Sequence, residues 1–566
     1  MSATGSVHPG AAPRVSARAF PWRPLGLILL LALVWRLSLA AAMPVLSRDG
    51  VTFCWYARAL GSEGLDWLRS PHAQQHPLFP ALLLAVQRAL AAAGVAEGPL
   101  AWQYAGQSVA LAAGLVVIAL TAILTWRLIR LLALPLSARS AAIFAALLTA
   151  LLPLNTWLAA DVMSDQVHLA FYLAAVVLLL RLDRARVALA AGLLTGLAFL
   201  TRQEGIVPLA AGVIGLLRAA PPPPRRTLAA RTFALLAGFL VLAVPYWALI
   251  GGFSQKKDPL RWLRPSQPTA GPAAVAAPGA RAALDPRAAT DARAEAGARA
   301  AADNVPPIPP VLGKLELLDL GWYALVPYAL YTLFRAGRVV IPLLALLPLA
   351  NLRGRLLAGP LAPLTVCLAG HFALAILLLA RFRYLDPRHM LVMVALLVPF
   401  AAFLLTRLVE LLRMHGQRWA AAGLLAVVLL PLALRSLAVP NAHDGFLRAA
   451  AAWIVAHEPG AVGKTLLCGS SPRRVAFYAD LYHAGWNERT EDYDGLVAAL
   501  RDSGAAYFAI EIATPGGRRE HFERAGNRDL LNRLLADPRL AGRLRPLHVQ
   551  PGPDNNELHL LAILPP

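Results

Sequence analysis

The chain has 566 residues, of which 58% are hydrophobic and only 15% charged, and its mean hydropathy is +0.56. These proportions exclude a string of ordinary soluble domains and indicate a membrane protein. The balance of 53 basic against 32 acidic residues gives a net charge of +21, but the arginines stand singly or in small groups between apolar runs, which excludes the continuous basic face of a nucleic-acid binder. Cys54, Cys367 and Cys468 show neither metal-ligand nor redox spacing.

A bilayer core of roughly 30 Å takes about 20 apolar residues of helix. Marking each long apolar run predicts a polytopic α-helical membrane protein of about eleven transmembrane helices, near 24–43, 103–126, 139–158, 162–181, 187–201, 205–218, 231–250, 336–350, 357–380, 389–406 and 419–438. The first run follows Arg14, Arg18 and Arg23 and carries Arg36; its length and the runs behind it predict an uncleaved anchor rather than a signal peptide. With residues 1–23 as a cytoplasmic tail, Arg127/Arg130, Arg181/Arg184/Arg186, Arg225/Arg226, Arg353/Arg355 and Arg407/Arg413 all fall on the inner side, as the positive-inside bias requires. The loops 44–101 and 251–335 then lie outside, with the Ala/Pro/Arg-rich stretch 266–310 expected to be flexible. After the membrane region 24–440 the composition changes. Helical patterns at 445–457, 493–503 and 527–536 alternate with apolar runs at 464–468, 505–512 and 557–564, predicting a small extracytoplasmic α/β domain over 441–566.

The residues that topology does not explain gather at the outer face. The first outer loop holds SRDG with Asp49 and, further on, HPLFP with His76. The turn 160–165 brings Asp161 and Asp165, with His168 beyond; their i, i+4, i+7 spacing predicts one shared helix face. TRQEG forms a hairpin tip with Arg202 and Glu204, and RFRYLDPRH carries Arg381, Arg383, Tyr384, Asp386, Arg388 and His389. Three arginines in a short outer loop oppose the positive-inside bias, so carboxylates or an anionic ligand such as a lipid phosphate must compensate them. Each residue also has a plain reading: Asp161 as an N-cap, Arg202 with Glu204 as a hairpin ion pair, His76 as a loop residue.

Five motifs in order, namely Asp49 after the first span, HPLFP at 76–80, ADVMSD at 160–165, GLLTGLAFLTRQEG at 192–205 and RYLDP at 383–387, resemble the C-type superfamily of membrane glycosyltransferases. The nearest branch is that of the protein O-mannosyltransferases and aminoarabinose transferases. The first motif departs from the mannosyltransferase pattern, reading Arg-Asp-Gly where those enzymes usually show paired acids. The resemblance implies an inverting transferase in a bacterial inner membrane, using a polyprenyl-phosphate sugar at the outer face and an acceptor that is lipid, glycan or protein. It implies Asp49 as the general base and Arg202, Arg381, Arg383 and Arg388 on the donor phosphate. Asp161, Asp165 and Glu204 would bind acceptor or sugar, with His76 and Tyr384 as polar lining. No metal site is assigned, and a bound divalent cation stays open. The alternative is a transporter or flippase of lipid-linked saccharides, which calls for ionisable groups near the midplane rather than at one face.

Overall fold

The computed structural model describes residues 19–70, 73, 75–219, 222–254, 322–356, 361–382, 384–469, 471–485, 493–512 and 527–565. The stretch 266–310 and Arg383 lie outside the described residues.

Apolar sequence and helix length make the chain a multi-pass membrane protein, but with fewer spans than the sequence suggests. Among the described residues, six helices are long and apolar enough to cross a membrane, or up to eight if each of two bent pairs is one span. The six are α1 (Trp22–Ala42), α4 (Pro99–Leu131), α10 (Arg225–Ile250), the helix beginning at Ala362, the segment Pro387–Met414 and the helix Arg418–Ser436. The expectation of about eleven is therefore corrected. The apolar runs near 162–181, 187–201 and 205–218 form α7 (Asp165–Leu179), α8 (Ala185–Thr201) and α9 (Val207–Leu217), of 15, 17 and 11 residues. At 1.5 Å per residue these reach roughly 17–26 Å, short of the bilayer core. The run 139–158 is broken by Pro153 into α5 (Ala138–Leu151) and α6 (Pro153–Ala160), bent by 59°. The run at 336–350 belongs to a pair, Leu325–Ala336 and Val340–Gly354, bent by 115°.

Burial separates the two kinds of helix. Along α1, Leu27, Leu30, Leu31, Val34 and Leu37 are exposed, as expected of a face that meets lipid tails. By contrast, α7 is buried on nearly every side, and its Tyr172, Leu173 and Val176 share one large core with Leu396, Phe400 and Leu405 of the helix Leu391–Met414.

Two helices of the first loop, α2 (Arg48–Glu63) and α3 (Leu78–Ala92), rest against α4. Ser47 caps α2 by accepting from the Gly50 amide at 3.1 Å. The C-terminal unit is richer in strand than its three apolar runs suggested. It is a five-stranded sheet of order β2-β1-β3-β5-β4, with β1 (Thr465–Cys468), β2 (Tyr482–Gly485), β3 (Tyr507–Ile512), β4 (Leu544–Pro551) and β5 (Glu557–Ile563). β1 runs parallel to β2 and β3, whereas β5 is antiparallel to β3 and β4. All six residues of β3 are buried, so its apolar residues run together instead of alternating, with Glu511 the one charged side chain among them. The sheet unit sits on α2: the Tyr478 hydroxyl accepts from the Leu46 amide at 2.9 Å and donates to Gln103 at 2.8 Å, and Arg58 pairs with Asp480 at 2.7 Å.

Candidate functional site

Asp49, Phe53, Gln75, His76, Met163, Ser164, Asp165, Thr201, Arg202, Gln203, Glu204 and Arg388 line one cavity that opens to the surface. Five separate stretches of the chain thus meet there, with three carboxylates and two guanidinium groups among the lining residues.

Local sequence aims each group. Asp49 lies in the first turn of α2, where a carboxylate also suits the positive end of the helix. Gly50 permits the approach of the turn behind it: a Cβ there would lie 3.1 Å from the Val162 carbonyl and 3.2 Å from Asp161 Oδ1. Across the cavity, Asp386 accepts from the Arg388 amide at 2.9 Å and its own amide donates to His389 Nδ1 at 3.2 Å, a reciprocal cap that sets the turn Pro387–Met390. Arg388 Nη1 thereby reaches Asp49 Oδ2 at 2.5 Å, with both side chains partly open to solvent, at 27% and 43%. Its Nε is buried and has no hydrogen-bond partner among the described residues.

A second pair lies deeper. Arg202 Nη1 meets Asp165 Oδ1 at 2.7 Å, and Nη2 lies 3.4 Å from Glu204; the exposures of Arg202 and Asp165 are 14% and 4%. Burial opposes the Arg202 charge, but the two carboxylates outweigh it and hold its pKa above the ordinary guanidinium value. His76 is buried, with Nε2 3.1 Å from Ser254 Oγ and its ring against Phe199 and Tyr246.

Not every candidate reaches the cavity. Asp161 does not share a helix face with Asp165 and His168, because α7 starts only at Asp165 and Asp161 is extended. It accepts instead from the Val162 amide at 2.7 Å and the Ser47 amide at 3.3 Å, tying the turn to the start of α2. Burial raises its pKa against those hydrogen bonds. His168 turns to the Ala198 carbonyl at 3.1 Å. Tyr384 is exposed and donates to Asp386 at 3.0 Å. Arg381 closes the helix Ala362–Phe382, and its side chain, like Arg383, is outside the described residues. Among the described residues no group of three or more His, Cys, Asp or Glu is placed to hold a metal ion.

No protein-family model matches the sequence, and no curated protein aligns with it significantly. The backbone does have relatives. The structure matches ArnT from Cupriavidus metallidurans bound to undecaprenyl phosphate over 96% of this chain and 98% of that one, with a TM-score of 0.57 at 13% identity. The fold is shared with ArnT. The same enzyme in its apo state gives a TM-score of 0.56 at 14% identity, covering 95% of this chain and 97% of that one. The oligosaccharyltransferase of Archaeoglobus fulgidus, solved with Zn and sulfate, gives 0.53 at 13% identity over 85% of this chain and 67% of its own.

At such identities the likeness to ArnT is one of backbone, and the cavity's side chains must argue for themselves. Sequence reasoning missed Phe53, Gln75, Met163, Ser164, Thr201 and Gln203 of the lining. Gln75, Ser164 and Gln203 each adjoin a residue it had named, so neighbours of an isolated charge were the available signal. Phe53, one turn along α2 from Asp49, looked like any core aromatic.

Proposed function

We propose that the chain is a glycosyltransferase that moves a sugar from a polyprenyl-phosphate donor to an acceptor hydroxyl or amine at the outer face of the membrane. The observation that carries this reading is the half-exposed Asp49–Arg388 pair at the mouth of a cavity, on a fold shared with an enzyme solved bound to undecaprenyl phosphate.

The ligand-free arrangement sets the order of events. One edge of the Arg388 guanidinium holds Asp49, while its Nε is left over. A donor phosphate offers two oxygens to that planar fork and competes with the carboxylate for it. Once Arg388 has turned to phosphate, Asp49 is released to take the proton of the acceptor nucleophile. The new bond forms from acceptor oxygen or nitrogen to the anomeric carbon, from the face opposite the leaving group. The bond from that carbon to the phosphate oxygen breaks, and the electron pair leaves with the polyprenyl phosphate. Negative charge grows on the leaving phosphate, where Arg388 stabilises it, with Arg381 and Arg383 as further cations close to it in sequence. Arg202 holds Asp165 and Glu204 in place to bind sugar or acceptor, beside His76. The orientation, with the sheet unit outside, follows from the arginine distribution.

Incubating the purified protein with a panel of radiolabelled polyprenyl-phosphate sugars tests this reading. Donor consumption with release of polyprenyl phosphate is expected for at least one sugar. Vectorial movement of intact donor across a vesicle, without cleavage, would favour the flippase alternative.

A further inference from the structure

Arg36 of α1 is fully buried, and among the described residues none of its three guanidinium nitrogens has a hydrogen-bond partner. Arginine does not shed its proton, so the charge must be solvated where it stands. Its surroundings are polar in one direction. Pro153 has no amide hydrogen to give to the carbonyl four residues back, and Asn155 Nδ2 serves that Thr149 carbonyl instead, at 2.9 Å. The Asn155 carbonyl accepts from Gln166 Nε2 at 3.2 Å. Both amide groups are thus oriented by their N–H ends, and Asn155 Oδ1 and Gln166 Oε1 remain buried acceptors without partners among the described residues. A Cβ on Gly114 would lie 2.6 Å from Arg36 Nη1 and 3.4 Å from Gln166 Oε1. No more than about 6 Å therefore separates Arg36 Nη1 from Gln166 Oε1, within reach of one water that accepts from the guanidinium and donates to that amide oxygen.

We propose that Arg36 is a positioning residue which, through such a water shared with Gln166, holds the turn 161–165 and hence the cavity pair Asp165–Arg202. Gln166 directly follows Asp165 in the first turn of α7, so the guanidinium fixes that turn from behind, and glycine at position 114 leaves it room. The catalytic part of this inference rests on the transferase reading of the cavity; the ordering of the turn does not.

Replacing a buried charge by an apolar side chain of similar length is often neutral or stabilising. A merely structural Arg36 and a positioning one therefore part company in Arg36→Met. The expected result is an unchanged or raised thermal midpoint in detergent, amide hydrogen exchange at 161–168 faster than in the wild type, and kcat lower by about 10- to 100-fold with little change in donor KM. Gln166→Met should reproduce the faster exchange and the kcat loss, and the double variant should add little to either. Arg36→Lys, which keeps a donor for the water, should recover part of both. Wild-type exchange at 161–168 in both Arg36→Met and Gln166→Met would overturn the proposal. If the wild-type protein transfers no sugar, the transferase reading falls, while the exchange comparison still judges the positioning. If exchange changes and kcat does not, the turn is held by Arg36 but the catalytic role is wrong.

Discussion

The cavity contains two Arg–Asp pairs with the same chemistry and different surroundings. Asp49–Arg388 sits at the mouth, with side-chain exposures of 43% and 27%, and Asp165–Arg202 lies inside, at 4% and 14%. Water can take over either partner of the first pair when a ligand pulls it away, so that contact is exchangeable. In the second, Arg202 would keep Glu204, but Asp165 without Arg202 is a stranded buried charge. Similar contacts therefore differ in kind: the outer one is suited to be broken during turnover, and the inner one to hold α7 against the tip of the α8–α9 hairpin.

Several substitutions would break or sharpen that contrast. The largest expected effect is on activity: Asp49→Asn should lower transfer by about 10²-fold or more, the scale of a positioned base, without loss of thermal stability. Near wild-type turnover in this variant would remove Asp49 from the mechanism and with it the reason for an exchangeable pair. Next comes stability. Arg202→Met should cost about 3–5 kcal/mol in denaturation experiments, with much of it recovered in the double variant with Asp165→Leu, whereas Arg388→Met should cost only about 0–1 kcal/mol, as expected of a pair open to solvent. Equal losses at the two arginines would abolish the distinction. Arg388→Lys should retain that stability yet reduce kcat, and Arg388→Gln should reduce it further, because an ammonium keeps the charge but not the two-donor fork.

A smaller effect concerns the contact between α2 and the sheet unit. His483 stacks on Trp55 with ring centroids 5.2 Å apart, and burial, then the nearby Arg473 charge, lowers its pKa from 6.5 to about 3. An unfolded chain takes up this proton near 6.5 while the folded one resists until about 3, so the histidine's contribution is complete above that upper value and is lost as pH falls through the window. Thermal midpoints measured from pH 7 down to 4 should fall, and His483→Phe should flatten the decline. Topology has its own check, with no energy at stake. Cys54, Cys367 and Cys468 are all buried, and in a background lacking them a cysteine at Gly271 or at the exposed Asp529 should react from outside intact cells. Labelling only after permeabilisation would overturn the orientation.

Hydropathy alone established that this chain lives in a membrane, because apolar runs of this number and length have no other stable solvent. Charge placement alone marked Asp49, His76, Asp165, Arg202, Glu204 and Arg388, since an ionisable group at a membrane face is costly wherever the chain later goes. What the sequence could not supply was length in space and partnership. An apolar run reads the same whether its helix meets lipid, as α1 does, or is enclosed by other helices, as α7 is, so span counting by composition overshot. Period could not show that Asp161 falls outside the helix that begins at Asp165, because Ser164 rather than Asp161 precedes the first turn. Nor could any local pattern show that position 49 meets 388, or that Arg36 and Gln166 both come up to Gly114. Those contacts join residues on different helices, and only the packing of those helices decides which charges share a cavity and which remain alone.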